Sequence, residues 1–415
     1  MSEQLYDAII IGAGPSGSIA GTILNGLGRR VLILEREQFP RFSIGESLLP
    51  QCMQYVEEAG MLEAVQAAGL QRKNGAMFQR RGQYSGFNFD EQYSQGWSET
   101  YEVPRAAFDK LLADQAVLAG VDIRYRHEIT AIELQGDHPS VSCRAGNGAN
   151  TTFHGRFILD ASGFGRVLAR LLQLESPSNF PSRTSVFTHI EDNIDDPGYD
   201  RDKILITVHP EWADVWYWLI PFSDGRCSIG VVARPHYLEK YRDGDDDMLK
   251  TIVSEDPELA KLLTNAVWDT PVRKLSGYSA NVQQLCTNQY ALLGNAGEFL
   301  DPVFSSGVTI AMRSASLAAG LLDRQLAGVE VDWQEEYARP LGQGVDTFRA
   351  FVNAWYDGRF QDIIFHDNQA SEIRKMICSI LAGYAWDTQN PFVSSPERRL
   401  NSLWHYCKAQ PSPTP

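Results

Sequence analysis

Three glycines and one glutamate have the types and spacing to hold a dinucleotide. Gly12, Gly14 and Gly17 form a GxGxxG run directly after the hydrophobic segment Ala8 to Ile11, and Glu35 follows the last of them by 18 residues. Each part has a chemical reason: the first glycine allows a tight turn, the second lets backbone approach a pyrophosphate, and the third lets helix and sheet pack closely. The pyrophosphate would meet the positive end of the helix that follows. Glu35 ends a second hydrophobic run, Val31 to Leu34, where its carboxylate is placed to accept hydrogen bonds from a ribose diol. An acid there favours a free ribose, hence FAD or NAD over NADP. A second concentration of chemistry is WYWLIP, Trp216 to Pro221, with two indoles and a phenol in three residues. Its plainest reading is a strand with rings on alternating faces and a proline at its end.

The elements that must position these groups follow from the patterning. Strand, glycine turn, small-residue helix, strand and acid make a Rossmann-like unit. "KILITVHP" and "RCSIGVVARP" are β-rich, and "SDG" between Pro221 and Arg226 supplies a hairpin turn. "DGDDDMLKTIVSEDPELAKLLTNAV" reads as helix after an acidic start, and helical patterns dominate from Ser314 onward. The aromatics Phe348, Phe351, Trp355, Tyr356 and Phe360 are expected mostly in core, with one or two free to line a substrate cavity. The tail "KAQPSPTP" is expected to be loose. The fold class is therefore α/β. A discontinuous nucleotide domain takes residues 1–72, 105–180 and 285–330. An inserted antiparallel β-sheet domain on the substrate side takes 73–104 and 181–284, and a C-terminal helical region takes 331–415.

Composition narrows the partners. A formal charge of -15 disfavours nucleic-acid binding, which wants basic clusters, and leaves a basic carrier or peptide partner open. No run approaches a membrane span, and "MSEQLYDAIIIGAG" does not read as a secretory signal. The six cysteines lie 29 to 92 residues apart without a CxxC, so reduced thiols, a cytoplasmic location and no metal site are expected.

Further segments carry a family resemblance. "VPRAAFDKLLADQA" (103–116), "FILDASG" (157–163) and "ALLGNAGEFLDPVFSSG" (291–307) follow the glycine turn in an order that resembles the glutathione-reductase-like flavoproteins. The resemblance implies FAD as the dinucleotide and Arg105 near the flavin. It also implies that Asn295, Asp301, Pro302 and Gly307 belong to the segment closing over ribityl and isoalloxazine. Asn295 stands where that family usually has an acid; an amide still forms a hydrogen bond there.

Three motifs resemble one branch, the flavin-dependent halogenases. Trp216, Trp218, Ile220 and Pro221 match WxWxIP, and Phe299, Pro302, Ser305 and Gly307 match FxxPxxSxG. Lys73 stands 27 residues after Glu46 of "PRFSIGESLLP", where that family carries a lysine. By type alone Lys73 is an ordinary solvated lysine. The resemblance implies instead an ammonium at the far end of a tunnel from the flavin, which holds hypohalous acid or becomes a haloamine. It also implies a tryptophan barrier beside the flavin and a halide site at Ser306 and Gly307. The closest branch is the compact one acting on phenols or carrier-bound pyrroles. Glu298 is given no catalytic role. The implied reaction uses FADH2 from a separate flavin reductase, oxygen, and chloride or bromide. A C4a-peroxyflavin yields hypohalous acid, which Lys73 relays to an electron-rich aromatic, free or tethered to a carrier protein. Two other readings remain: an aromatic monooxygenase and a flavin-dependent reductase.

Overall fold

The computed structural model describes residues 5–136, 138–178, 180–241, 247–366 and 370–409. At its centre lies a five-stranded parallel sheet in the order Tyr290–Leu292, Ile158–Asp160, Ala8–Ile11, Val31–Leu34, Asp122–Arg124. Ala8–Ile11 is buried at every position, as a strand covered on both faces must be. The helix Pro15–Gly26 leaves its end, with proline in the first turn, and packs against the long helix Ser306–Leu326. A smaller four-stranded sheet contains Leu5–Tyr6, Asn150–Gly155, Ser140–Ala145 and His127–Glu133.

The substrate-side layer is a seven-stranded sheet. Its order is Arg273–Ser276, Thr184–Glu191, Arg226–Ala233, Trp216–Pro221, Lys203–Val208, Gly75–Arg80, Gln83–Asn88. The sheet is not wholly antiparallel: Lys203–Val208 runs parallel to Gly75–Arg80, which joins the two inserted stretches of chain without a hairpin. A separate pair, Gln71–Lys73 against Thr100–Glu102, lies antiparallel beside it.

Two helix expectations change in detail. The segment after the acidic run is two short helices, Met248–Val253 and Pro257–Leu262, because Asp256 caps the second by accepting from the Leu259 N–H at 2.8 Å. Of the acidic start at 243–247, only Asp247, which precedes the first of these helices, lies among the described residues. The helix expected from Ser314 begins at Ser306, inside the FxxPxxSxG loop. Helices Arg339–Tyr356, Arg359–Ile364, Ser371–Leu381 and Pro396–Ala409 complete the C-terminal region. Lys408 and Ala409 of the expected loose tail are helical, and the rest of it lies outside the described residues. Phe351 and Phe360 pack edge to face at 4.9 Å, and Phe304 meets Trp355 at 5.9 Å, so these rings form core. All six cysteines are buried thiols. Among the described residues no helix is long and apolar enough to cross a membrane.

Candidate active site

Two cavities meet along Ile44, Arg105, Phe164, Leu275 and Asn295, which line both. The outer one is a groove of about 790 Å³ running past Gly12, Glu35, Arg41 and Gly163. Gly12 sits at φ +97°, and a Cβ there would come within 2.7 Å of the Ala161 carbonyl oxygen. A Cβ on Gly17 would overlap the Gly12 carbonyl oxygen. Only glycine fits either position, which is the close strand-to-helix turn a dinucleotide needs. The Glu35 carboxylate accepts from the Ala13 and Glu37 N–H groups, both at 2.9 Å, which fixes it at the groove wall.

Arg105 opens the helix Arg105–Leu118 and is nearly buried. Its Nε and Nη2 grip Asp109 at 2.7 and 3.1 Å, while Nη1 donates to the carbonyls of Ile44 and Gly45. Arg41 shares the same carboxylate, donating from Nη1 at 2.9 Å. Two guanidiniums held on one aspartate give the groove fixed positive charge where a pyrophosphate would lie. Arg41 was not singled out from sequence, because nothing local in "PRFSIGES" tells that its loop folds back over the glycine turn. The donors, the glycine turn and the acid all suit FAD.

The inner cavity is largely apolar. Its walls include Pro15, Ser47, Tyr278, Phe299, Pro302 and Gly307, together with Trp216, Trp218 and Ile220 of the strand Trp216–Pro221. Alternation along that strand sends Tyr217 to the opposite face, where its hydroxyl donates to the Ile252 carbonyl at 3.0 Å. The two indoles lie 6.0 Å apart. Trp218 donates its N–H to the Ser228 hydroxyl at 3.0 Å, and Trp216 donates to the Tyr356 hydroxyl at 2.9 Å. Pro221 ends the strand opposite Cys227 and lies outside the cavity lining.

The loop at 295–307 closes the other side. Asn295, Pro302, Ser305 and Gly307 line the inner cavity. Ser305 adopts φ +57°, and the helix Ser306–Leu326 starts from it with no side-chain cap. Ser306 is buried at the first helical position and does not line the cavity. Asp301 points elsewhere: it accepts from the Val303 N–H and the Tyr356 hydroxyl, and the cavity lining does not include it. Burial pushes its carboxyl up to about 6, against the pull of the Arg183 charge.

Lys73 is not a solvated lysine. It is 1% exposed, and its ammonium donates to the Ser47 hydroxyl at 2.6 Å and to the Leu48 carbonyl at 2.8 Å. The Phe89 ring lies 5.6 Å away. Ser47 itself lines the inner cavity, so Lys73 stands one side chain behind the wall. Burial lowers its proton affinity, partly offset by the charge of Glu102. Glu46 also lines the cavity and accepts from His189 Nε2 at 2.6 Å. Glu298 is tied to Arg349.

A turn shaped for a dinucleotide beside an apolar, tryptophan-walled chamber defines an FAD-binding flavoprotein. The family model described as "FAD binding domain" matches residues 5–329. A Pseudomonas fluorescens 1H-pyrrole-2-carbonyl-[peptidyl-carrier protein] chlorinase is 25% identical, over 98% of this chain and 97% of its own. A tryptophan 2-halogenase from Chondromyces crocatus is 30% identical, over 78% of this chain and 62% of its own. Among solved structures, a flavoprotein/dehydrogenase from Cytophaga hutchinsonii superposes with a TM-score of 0.94 at 41% identity, covering 98% of this chain and 99% of that one. The flavin-dependent brominase Bmp2 follows this fold with a TM-score of 0.84 at 26% identity, covering 98% and 100%. The chain belongs to the FAD-binding family and, within it, to the flavin-dependent halogenases.

Proposed function

We propose that this enzyme halogenates a phenol or a carrier-tethered pyrrole, with Lys73 delivering the halogen. Bound as FADH2, with oxygen and chloride or bromide, the cofactor supplies hypohalous acid. Gly12, Gly14, Gly17 and Glu35 would hold its nucleotide end, Arg41 and Arg105 its pyrophosphate, and Asn295, Pro302 and Gly307 its ring system. The backbone N–H groups at Ser306 and Gly307, at an uncapped helix start, suit a halide ion. Trp216, Trp218 and Ile220 fill the wall beside the flavin, keep water out and separate the substrate from the oxidising end.

One observation carries the proposal. Lys73 is 1% exposed, and its ammonium bonds a hydroxyl that lines the cavity. A lysine buried at a cavity wall with its proton affinity lowered is a marker of a functional group. The carboxylate that lines the inner cavity, Glu46, is engaged by His189 Nε2, which supports a substrate activated by its own phenol or pyrrole. A separate flavin reductase is part of the proposal.

The test is incubation with FAD, a flavin reductase, NADH, oxygen and bromide or chloride, against phenols, indoles and carrier-bound pyrroles. Mass spectrometry should show the halogen isotope pattern. Lys73→Ala should abolish it while FAD binding and flavin reoxidation continue. A halide-independent gain of oxygen in the wild type, or halogenated product from Lys73→Ala, would reject the proposal.

A further inference from the structure

Glu102 is the most anomalous side chain near the site. It is 0% exposed, and among the described residues neither carboxylate oxygen has a hydrogen-bond partner. A buried carboxylate left this way is strongly disfavoured, so its presence calls for a reason. It belongs to the strand Thr100–Glu102, whose register sets Lys73 opposite Thr100 and Gln71 opposite Glu102. Lys73 and Glu102 therefore share one face of the pair as diagonal neighbours. The Thr100 hydroxyl on the same face is also buried without a partner.

Ser47 connects the two. Its backbone bridges to Glu102, and its hydroxyl oxygen is taken by the Lys73 ammonium at 2.6 Å. The hydroxyl proton is then free to turn toward the carboxylate. Ser47 and the Lys73 charge both hold down the proton affinity of Glu102, yet burial still raises its carboxyl to about 7. Other titratable groups facing the pair are Glu46, which raises Glu102 further, and Cys52, whose thiol feels both Lys73 and Arg105. Two groups with converging proton affinities, joined by one hydroxyl, form an acid–base couple.

We propose that Glu102 is the proton partner of Lys73, holding through Ser47 the proton that the lysine gives up before it takes halogen and returning it when halogen leaves. The inference rests on Lys73 being the halogen carrier. An ammonium has no lone pair, so its proton first passes to Glu102, leaving amine and carboxylic acid. The amine attacks the halogen of hypohalous acid: the N–X bond forms, the O–X bond breaks, and hydroxide takes an N–H proton to become water. The arene then attacks the haloamine. The C–X bond forms, and the N–X electron pair returns to nitrogen, which takes the proton from Glu102. The ring proton falls to the Lys73 amine, which becomes the ammonium again beside the Glu102 carboxylate. The couple is restored, and Glu102 acts through Lys73 as a positioning residue, without touching the flavin.

The experiment compares wild type, Glu102→Gln, Glu102→Asp, Ser47→Ala and Lys73→Ala as FAD-loaded proteins with bromide and a phenol. In Glu102→Gln the lysine, without its counter-charge, still takes halogen but lacks the acid that releases it. Product should fall about 100-fold or more, with FAD content and flavin reoxidation unchanged. A thiol-reducible halogen adduct should build up on the peptide containing Lys73. The acid limb of the wild-type product profile, near 7 for Glu102, should vanish, Glu102→Asp should restore part of the rate, and Ser47→Ala should slow transfer in the same direction. Infrared spectra of the flavin-free protein should show a protonated buried carboxyl in the wild type that Glu102→Gln lacks. Wild-type rate and pH profile in Glu102→Gln, with Lys73→Ala inactive, would overturn this inference alone. Product from Lys73→Ala would instead remove the reading beneath it. Should Glu102→Gln fail to fold, Glu102→Asp and Ser47→Ala decide: unchanged rates and no adduct in both overturn it.

Discussion

The Tyr356 hydroxyl receives the indole N–H of Trp216 at 2.9 Å and donates onward to Asp301 at 2.9 Å. One buried oxygen thus ties the tryptophan wall, the loop of the FxxPxxSxG motif and the C-terminal helix Arg339–Tyr356. Arg183 lies 3.3 Å above the Tyr356 ring and completes the cluster. Asp301 is a brace behind the flavin loop, where resemblance had suggested a cofactor contact.

Tyr356→Phe keeps the ring and removes the shared hydroxyl. Trp216 and Asp301 both lose a partner in a buried place, at about 1–3 kcal/mol for each group left unsatisfied. The expected outcome is a lower unfolding midpoint and a smaller ratio of halogenated product to hydrogen peroxide, with FAD still bound. An unchanged product-to-peroxide ratio would show that the wall does not depend on this brace.

The glycine turn makes a simpler prediction. Gly17→Ala forces a methyl group onto the Gly12 carbonyl oxygen, so strand and helix must separate at the point where the pyrophosphate would dock. FAD binding, read by quenching of flavin fluorescence, should weaken by at least about tenfold, near 1.4 kcal/mol. Retained affinity would place the dinucleotide elsewhere.

These two sites also mark the limit of what the sequence shows. GxGxxG with an acid 18 residues on is a local pattern whose geometry follows from backbone sterics, so turn, helix and strand are readable from the chain. The indole face of WYWLIP follows equally from a period of two. Tyr356 is different: it lies 140 residues from Trp216, and only the packing of the C-terminal helix brings them together. Glu102 sits beside the "VPR" segment, but its relation to Lys73 depends on strand register and on the backbone bridge to Ser47. Arg41 lacked a signal for the same reason. The parallel pairing of Lys203–Val208 with Gly75–Arg80 was likewise hidden, since alternating β patterns do not reveal strand direction.

Asp301 should make stability depend on pH in a definite direction. Its carboxyl is raised to about 6 in the fold, against about 3.9 in an unfolded chain. A raised value means that the folded state holds the proton more tightly. The associated stability is complete below about pH 4 and is lost as pH rises through about 6. Asp301→Asn stays neutral throughout, so its stability relative to wild type should climb across that window by about 2–3 kcal/mol and then level off. Urea unfolding of both proteins from pH 4 to 8 measures the gap. A gap that narrows with rising pH would contradict the buried, disfavoured charge.

The last prediction concerns how the wall is seated. Gly230 lies across the sheet from Trp218, and a Cβ there would overlap the indole ring. Gly230→Ala must therefore push Trp218 off its position and strain its bond to Ser228. Overpacking of this kind costs about 1–3 kcal/mol. Displacement of the indole should also loosen the chamber, so peroxide release should rise relative to halogenated product. Trp218→Phe alone leaves a gap and should lower stability for the opposite reason, lost volume. The double variant Gly230→Ala with Trp218→Phe places a methyl group where the larger ring had been. Its destabilisation should be smaller than the sum of the two single changes, because each relieves the defect of the other. Thermal unfolding of the four proteins gives the coupling, and peroxide yield shows whether the chamber closes again. Strict additivity would mean that Gly230 is not what seats Trp218, and the wall would then owe its position to the hydrogen bonds of Trp216 and Trp218 alone.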